Sequence, residues 1–234
     1  MRYLGGKARW ANAIARELSD VRARRFVDAM CGGLNVTAAM SGPRLANDAC
    51  VPLVRLYEAW REGWRPPTVT EDLYAEVKAK QDPNDPLTAF VGFGCSYSGA
   101  WFNGFARDTK PRPKVPFGEN FAASARRSLD RKLSRCSSAV FSSLDYRALD
   151  VAPGDLVYFD PEYQGTKRYA YFNDVFDHVA FVHHLDTLAA GGVTVYVSEY
   201  KALSATWEPV ATFTSGKRSS TAGSGTETLF RVQR

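Results

Sequence analysis

The sequence predicts an α/β fold, a Rossmann-like parallel sheet interrupted by a mostly helical insertion. Three observations predict it. Short apolar runs end in a carboxylate at Arg25 to Asp28, Leu45 to Asp48 and Leu156 to Asp160. A glycine-rich turn follows the first run. The strand pattern then vanishes between about Val51 and Arg135 and returns beyond it. A chain of 234 residues accommodates one core and a modest insertion, and 45% hydrophobic with 24% charged residues is a globular composition.

Taken in order, Arg25-Phe26-Val27-Asp28 is a buried strand, Cys31-Gly32-Gly33 a tight turn, and Val36 to Met40 the start of a helix. Leu45-Ala46-Asn47-Asp48 follows at the spacing of a right-handed parallel crossover. Leu53, Leu56, Tyr57 and Trp60 recur at helical spacing, Pro66-Pro67 breaks that run, and Leu73, Val77 and Leu87 to Phe90 resume it. Gly92 to Gly118 mixes glycine, proline, aromatics and cations, which predicts an irregular loop or hairpin. Strands return at Ala139 to Phe141, Leu156 to Phe159 and Val193 to Val197. Between the last two, a helical stripe runs from Val175 to Leu188 and stops at Gly191-Gly192. Val210 to Phe213 and Thr228 to Val232 predict an antiparallel hairpin around a Gly/Ser/Thr-rich loop. The expected division is a discontinuous catalytic unit, 1–54 with 137–234, around an insertion at 55–136.

Thirty Lys and Arg against 25 Asp and Glu give a net charge of +5. The cations crowd into 110–114, 126–135 and 217–218, whereas Asp28, Asp48 and Asp160 end strands. This pattern suits a basic surface over an acidic cleft. Cys31, Cys50, Cys95 and Cys136 lack metal or disulfide spacing and are expected to be reduced and buried. The histidines, His178, His183 and His184, sit in one helical segment, and no metal site is expected. No apolar run has the roughly 18 to 20 residues of a membrane span, and the start, MRYLGGKARW, has no signal-peptide core. A cytoplasmic location is expected.

Asp160-Pro161-Glu162-Tyr163 directly follows the strand 156–159, at the edge where open α/β sheets bind ligands. By itself this tetrapeptide reads more readily as a strand-end turn. Read with the other segments, the chain resembles the Dam-type DNA adenine-N6 methyltransferases (the D12 class) in order along nearly its whole length. Arg2 to Lys7, Phe26 to Gly33, Asn47-Asp48, Phe102 to Arg107 with Val115 to Gly118, Ser143 to Tyr146, Asp160 to Tyr163, and Arg218 to Ser220 with Glu227 to Phe230 carry the resemblance.

The resemblance implies S-adenosylmethionine as cofactor, held by Tyr3, Lys7, Asp28, Gly32, Gly33, Asn47, Asp48, Asp145, Tyr146 and Asp160. It implies a catalytic group of Asp160, Pro161, Glu162 and Tyr163, and duplex DNA as partner through Asn103, Arg107, Lys110, Arg112, Lys114, Lys217 and Arg218. It also implies a bacterial protein, or a phage protein acting in a bacterial host, that is monomeric or weakly dimeric. Two departures stand out: Leu34 where the family usually has a further glycine, and Glu162 where it has a second proline. Asp108 to Lys114 also differ from the family, so the GATC site does not carry over.

The chemistry agrees. An exocyclic adenine amine is a poor nucleophile because its lone pair is delocalised, so acceptors such as the Asp160 carboxylate and Pro161 carbonyl are needed for its N–H groups. An aromatic at Tyr163 can stack on a base flipped from the duplex. Cytosine N4 presents the same amine, a DNA-binding relative impaired by Glu162 fits the same motifs, and RNA is a third, less favoured target. Glu162 is expected to face outward, since two neighbouring carboxylates repel. Trp60, Trp64 and Trp207 are expected in or beside the core, while Trp101 and Phe102 are either core or a wedge into DNA.

Overall fold

The computed structural model describes residues 1–107, 120–166, 171, 175–214 and 226–233. The strands are β1 (Arg25–Asp28), β2 (Arg44–Asn47), β3 (Val140–Ser142), β4 (Asp155–Phe159), β5 (Thr194–Glu199), β6 (Trp207–Thr214) and β7 (Thr226–Val232). The helices are α1 (Ala11–Ser19), α2 (Val51–Arg61), α3 (Glu71–Lys80), α4 (Pro86–Ala89), α5 (Phe121–Arg135) and α6 (His178–Ala190). The strands form one sheet in the order β3-β2-β1-β4-β5-β7-β6. Strands β1 to β5 pair in parallel, while β7 runs antiparallel between β5 and β6. This is the Rossmann-like sheet that the strand spacing predicts. Its winding reverses between β1 and β4, so the ligand crevice is expected at their carboxyl ends.

Register decides which side chains meet there. Asp28 pairs with Ala46 and with Tyr158, and those three share a face of the sheet. Two residues further along their strands, Asp48 and Asp160 follow Ala46 and Tyr158 on that same face. Phe26, Leu156, Tyr196 and Leu229 pack there against α1 through Ile14 and Leu18. On the opposite face Val27, Val157, Phe159, Val195 and Val197 pack against Phe181, Leu185 and Ala189 of α6.

The β2-to-β3 crossover carries the helical insertion. Its residues share one hydrophobic cluster with the sheet, joining Phe141 and Ala46 to Leu53, Tyr57 and Trp60 of α2, Phe90 and Phe93, and Leu129 and Leu133 of α5. The expected boundary at 54/55 falls inside α2, because the face that packs on the sheet continues to Trp60. Trp60 and Trp207 are buried and Trp64 is partly so, as expected. All four cysteines are free and buried.

Two expectations need correction, and one open alternative is decided. No regular helix forms at Val36 to Met40, which is a series of turns. There the Thr37 amide and hydroxyl both donate to Asp28 (3.2 and 2.6 Å), and Leu34 sits at φ 56°, so the helical ladder is broken from within. The stripe from Val175 becomes helical only at His178, because Asp177 caps α6 by accepting from the Val179 and Ala180 amides; Val179 itself is 83% exposed. Phe102 is no wedge, being buried against Tyr74, and Trp101 packs on Phe93 and Tyr171 while donating to Gln81.

Candidate active site

A cavity of about 360 Å³ opens at the carboxyl edge between β1 and β4, within the size range of small-molecule sites. Its glycine-rich wall is clamped from several directions. The Cys31 amide donates to the Asn47 carbonyl, the Gly32 amide to Asp48, the Tyr57 hydroxyl to the Gly32 carbonyl and the Lys132 ammonium to the Gly33 carbonyl. Gly32 is at φ +43°, and a Cβ there would lie 2.9 Å from the Tyr3 ring, so this turn admits only glycine. Leu34 takes a positive φ as well and is fully buried. The chain tolerates a strained backbone in exchange for a core side chain.

Asp28 and Asp48 stand behind this wall. One Asp28 oxygen accepts from Thr37; the other is buried without a hydrogen-bond partner. Burial, with Asp160 and Asp48 nearby, pushes its carboxyl up to about 7. Asp48 accepts from the Gly32 and Cys50 amides, and burial still raises it to about 6. A buried carboxylate oxygen with no partner, on a residue that lines a cavity, is suited to a cation.

At the β4 end, Asp160 accepts from the Lys7 ammonium at 2.5 Å, and Glu227 lies 3.6 Å from the same nitrogen. Burial disfavours the Lys7 charge, but the two carboxylates outweigh it and raise its pKa. Burial raises Glu227 too, against the pull of Lys7. Glu227 reaches this cluster because β7 is antiparallel, so its first residues lie at the carboxyl edge opposite the end of β5. In the sequence Glu227 belongs to the Glu227 to Phe230 segment that carries part of the resemblance, but nothing there assigns it to the site.

Most of the predicted cofactor residues meet here. Tyr3, Lys7, Asp28, Gly32, Gly33, Asp48, Asp145, Tyr146 and Asp160 line the cavity, joined by Asn35, Arg147, Val175, Phe176 and Asp177, which the motifs did not single out. Tyr146 and Phe176 form an aromatic corner at one end, with ring centroids 6.1 Å apart. Asn47 is not brought to the cavity. Its amide donates to the Ala29 and Leu144 carbonyls and accepts from Ser142 and the Leu144 amide, so every polar atom of the side chain is spent tying β1, β2 and the residues after β3 together.

Of the predicted catalytic group, Glu162 lines the cavity and is half-buried, contrary to the outward position expected from carboxylate repulsion. Its carbonyl is 2.9 Å from His178 Nε2, which anchors this turn to α6. Pro161 is buried and Tyr163 lies outside the lining. The Tyr163 ring packs with the Lys7 ammonium at 4.8 Å and edge-on with Tyr200, so it does not offer an open stacking plate here.

Among the predicted DNA contacts, Asn103 and Arg107 are exposed on the loop after α4, where Arg107 pairs with Glu71 of α3. Lys110, Arg112, Lys114, Lys217 and Arg218 lie outside the described residues. No group of three or more His, Cys, Asp or Glu among the described residues is arranged to hold a metal ion, and no described helix is long and apolar enough to cross a membrane.

No family model matches the chain. Among solved structures it is similar to the methyltransferase candidate yhhF of Escherichia coli, at 10% identity and a TM-score of 0.38 over 100% of this chain and 98% of that one. It is also similar to the rRNA methyltransferase aviRa of Streptomyces viridochromogenes, at 15% identity and a TM-score of 0.38 over 94% and 84%. At these scores neither likeness carries an inference about activity or substrate.

Proposed function

We propose that the chain is a Dam-type enzyme that transfers a methyl group from S-adenosylmethionine to the N6 amine of adenine in duplex DNA. The observation that carries this reading is the conjunction in one cavity of an unpartnered buried Asp28 oxygen beside a glycine wall and, across the β1/β4 switch point, the Asp160 carboxylate. The cofactor supplies an electrophilic methyl group on a cationic sulfur. The donor set fits such a group, since Asp28 offers a carboxylate oxygen to a cation, Asp48 has spare lone pairs for hydroxyls, and Tyr146 and Phe176 present ring faces to a purine.

At the other end, Asp160 accepts a hydrogen bond from the target amine through whatever capacity Lys7 leaves it. This draws density toward the amine nitrogen and localises its lone pair. Lys7 fixes the carboxylate in place, and Glu227 holds Lys7 from the far side. Glu162 lines the same cavity and is the proposed acceptor of the second N–H, a role the Pro161 carbonyl would otherwise take. In the proposed transfer the methyl carbon would leave the sulfonium sulfur, releasing a neutral thioether, as it bonds to the amine nitrogen; the amine would shed one proton, and Asp160 and Glu227, raised by burial, are suited to receive it. Stacking of the flipped base on Tyr163 requires the ring to leave its contact with Tyr200.

Adenine is favoured over cytosine N4 by the order of the motifs, and DNA over RNA by the segment Phe102 to Arg107 with Val115 to Gly118. The segment between α2 and α5 is the part proposed to meet the duplex. The test is transfer of labelled methyl from S-adenosylmethionine to unmodified duplex DNA, to RNA and to protein. Label in DNA alone supports the reading. Label in RNA alone, or in none, refutes it.

A further inference from the structure

A second cavity, of about 640 Å³, lies on the other side of the Tyr3–Gly6 segment, between that segment, the start of α1 and one face of α5. Tyr3, Gly6 and Asn35 line both cavities, so the two share a wall. Along α5 the lining residues Ser124, Ser128, Arg131 and Arg135 fall at spacings of four, three and four, which is one stripe of an α-helix. At 1.5 Å per residue the stripe is about 16 Å long. Arg2 faces it from the amino-terminal segment, its guanidinium over the Phe121 ring at 4.6 Å, and Asn12, Asn35 and Ser98 complete a rim of neutral donors.

No carboxylate lines this cavity among the described residues. The single acid of α5, Asp130, is turned to the opposite side, where it accepts from the Trp60 indole at 2.9 Å and pairs with Arg65 at 3.4 Å. Lys132 is not available to a ligand either, because it is buried and committed to the Gly33 carbonyl. Arg131 and Arg135 therefore stand exposed on the stripe with no carboxylate partner among the described residues. Two hydroxyls and two guanidinium groups in a line, with acids excluded, form an arrangement that binds phosphates in a row rather than one compact anion.

We infer that this α5 groove binds the phosphodiester backbone of a nucleic-acid strand, in addition to the insertion loop. The inference rests on the proposed function only in taking that strand to belong to the DNA substrate. Successive phosphates of one strand advance about 3.4 Å along a duplex axis, so the stripe covers several of them and its two guanidinium groups neutralise about two. Because the groove shares a wall with the first cavity, a strand seated here runs beside the segment that carries Lys7.

The test is duplex DNA binding by fluorescence anisotropy across a salt series for wild type and for the double variant Arg131→Gln/Arg135→Gln. S-adenosylmethionine binding and thermal melting are measured on both. The double variant should melt normally, bind the cofactor normally, lose on the order of tenfold or more in DNA affinity near 0.1 M salt, and lower the slope of log K against log salt by about two units. Arg131→Lys/Arg135→Lys should keep the slope. An unchanged slope in the Gln variant of a DNA-binding wild type overturns the groove and leaves the proposed reaction standing. A lowered slope in a protein that labels no nucleic acid supports the groove and sinks the reaction. A wild type that binds neither DNA nor RNA, or one that binds inorganic phosphate at Arg131 and Arg135 without any effect on DNA binding, overturns the inference.

Discussion

Asp28 makes the cofactor site testable through pH alone. Its carboxyl is held at about 7 chiefly by burial, with one oxygen on Thr37 and the other without a partner. A cation can pair with it only when it is ionised. With a folded value of about 7, about one tenth of the molecules carry the charge at pH 6 and about nine tenths at pH 8, so affinity for S-adenosylmethionine should rise about tenfold across that interval. Binding should release about 0.9 proton at pH 6 and about 0.1 at pH 8, read by calorimetry in two buffers of different ionisation enthalpy. The sign for stability is opposite. A carboxyl raised from its ordinary value of 3.8 binds its proton more tightly when folded, so its contribution is complete below about pH 4 and is lost as pH rises through about 7. The loss is about 1.4 kcal/mol per pH unit over that window. Asp28→Asn should therefore melt higher than wild type at pH 8 while binding the cofactor more weakly and without the tenfold pH dependence. Flat affinity in wild type, or the same slope in Asp28→Asn, would show that Asp28 does not meet the cation.

Other predictions follow from the same geometry. Asp160→Ala should abolish methyl transfer while cofactor and DNA binding largely survive, because the contact to the amine strengthens in the transition state; near-normal turnover would remove Asp160 from the mechanism. Glu162→Gln should lower kcat with little change in DNA affinity, since Glu162 lines the cavity, and an unaltered kcat would return it to a structural role. Asp155 is fully buried and accepts from Arg24, Arg25 and the Ala152 amide, so Asp155→Asn should cost about 3 kcal/mol at pH 7 by chemical denaturation. Its pKa lies below the ordinary value of 3.8, so this contribution is present above about pH 4 and fades as acid protonates it. Leu34→Gly relieves a positive φ but empties a buried site, and the net should be a loss of about 2 kcal/mol without loss of cofactor binding.

Strand ends were legible in the sequence because a parallel sheet writes itself as short apolar runs, and its ligand edge as the carboxylates that terminate them. That logic locates Asp28, Asp48 and Asp160 before any coordinates. It fails for Asn47, whose neighbouring position in the same motif looks equivalent but lies below the floor, where its four hydrogen bonds close the sheet edge. Glu227 was illegible for the opposite reason. Its segment, Glu227 to Phe230, matches a motif without giving Glu227 a role, and only the antiparallel insertion of that strand brings it to Lys7, more than two hundred residues away in the chain. Helix α1 escaped the strand-centred reading although Ile14 and Leu18 are fully buried, because two of its four buried residues, Ala11 and Ala15, are alanines that mark no face by themselves. The α5 stripe was visible only as a cluster of cations; which of them face the cavity is set by the helix face that Ala125, Leu129 and Leu133 bury.

The central claim, that one cavity joins a cationic methyl donor to an exocyclic adenine amine held by Asp160, is tested most directly by mass analysis of nucleosides. Unmodified duplex DNA is incubated with S-adenosylmethionine and either wild type or Asp160→Ala, then digested. Wild type should give N6-methyl-2′-deoxyadenosine and the variant none. N4-methyl-2′-deoxycytidine, or N6-methyl-2′-deoxyadenosine at equal yield from both proteins, would contradict it.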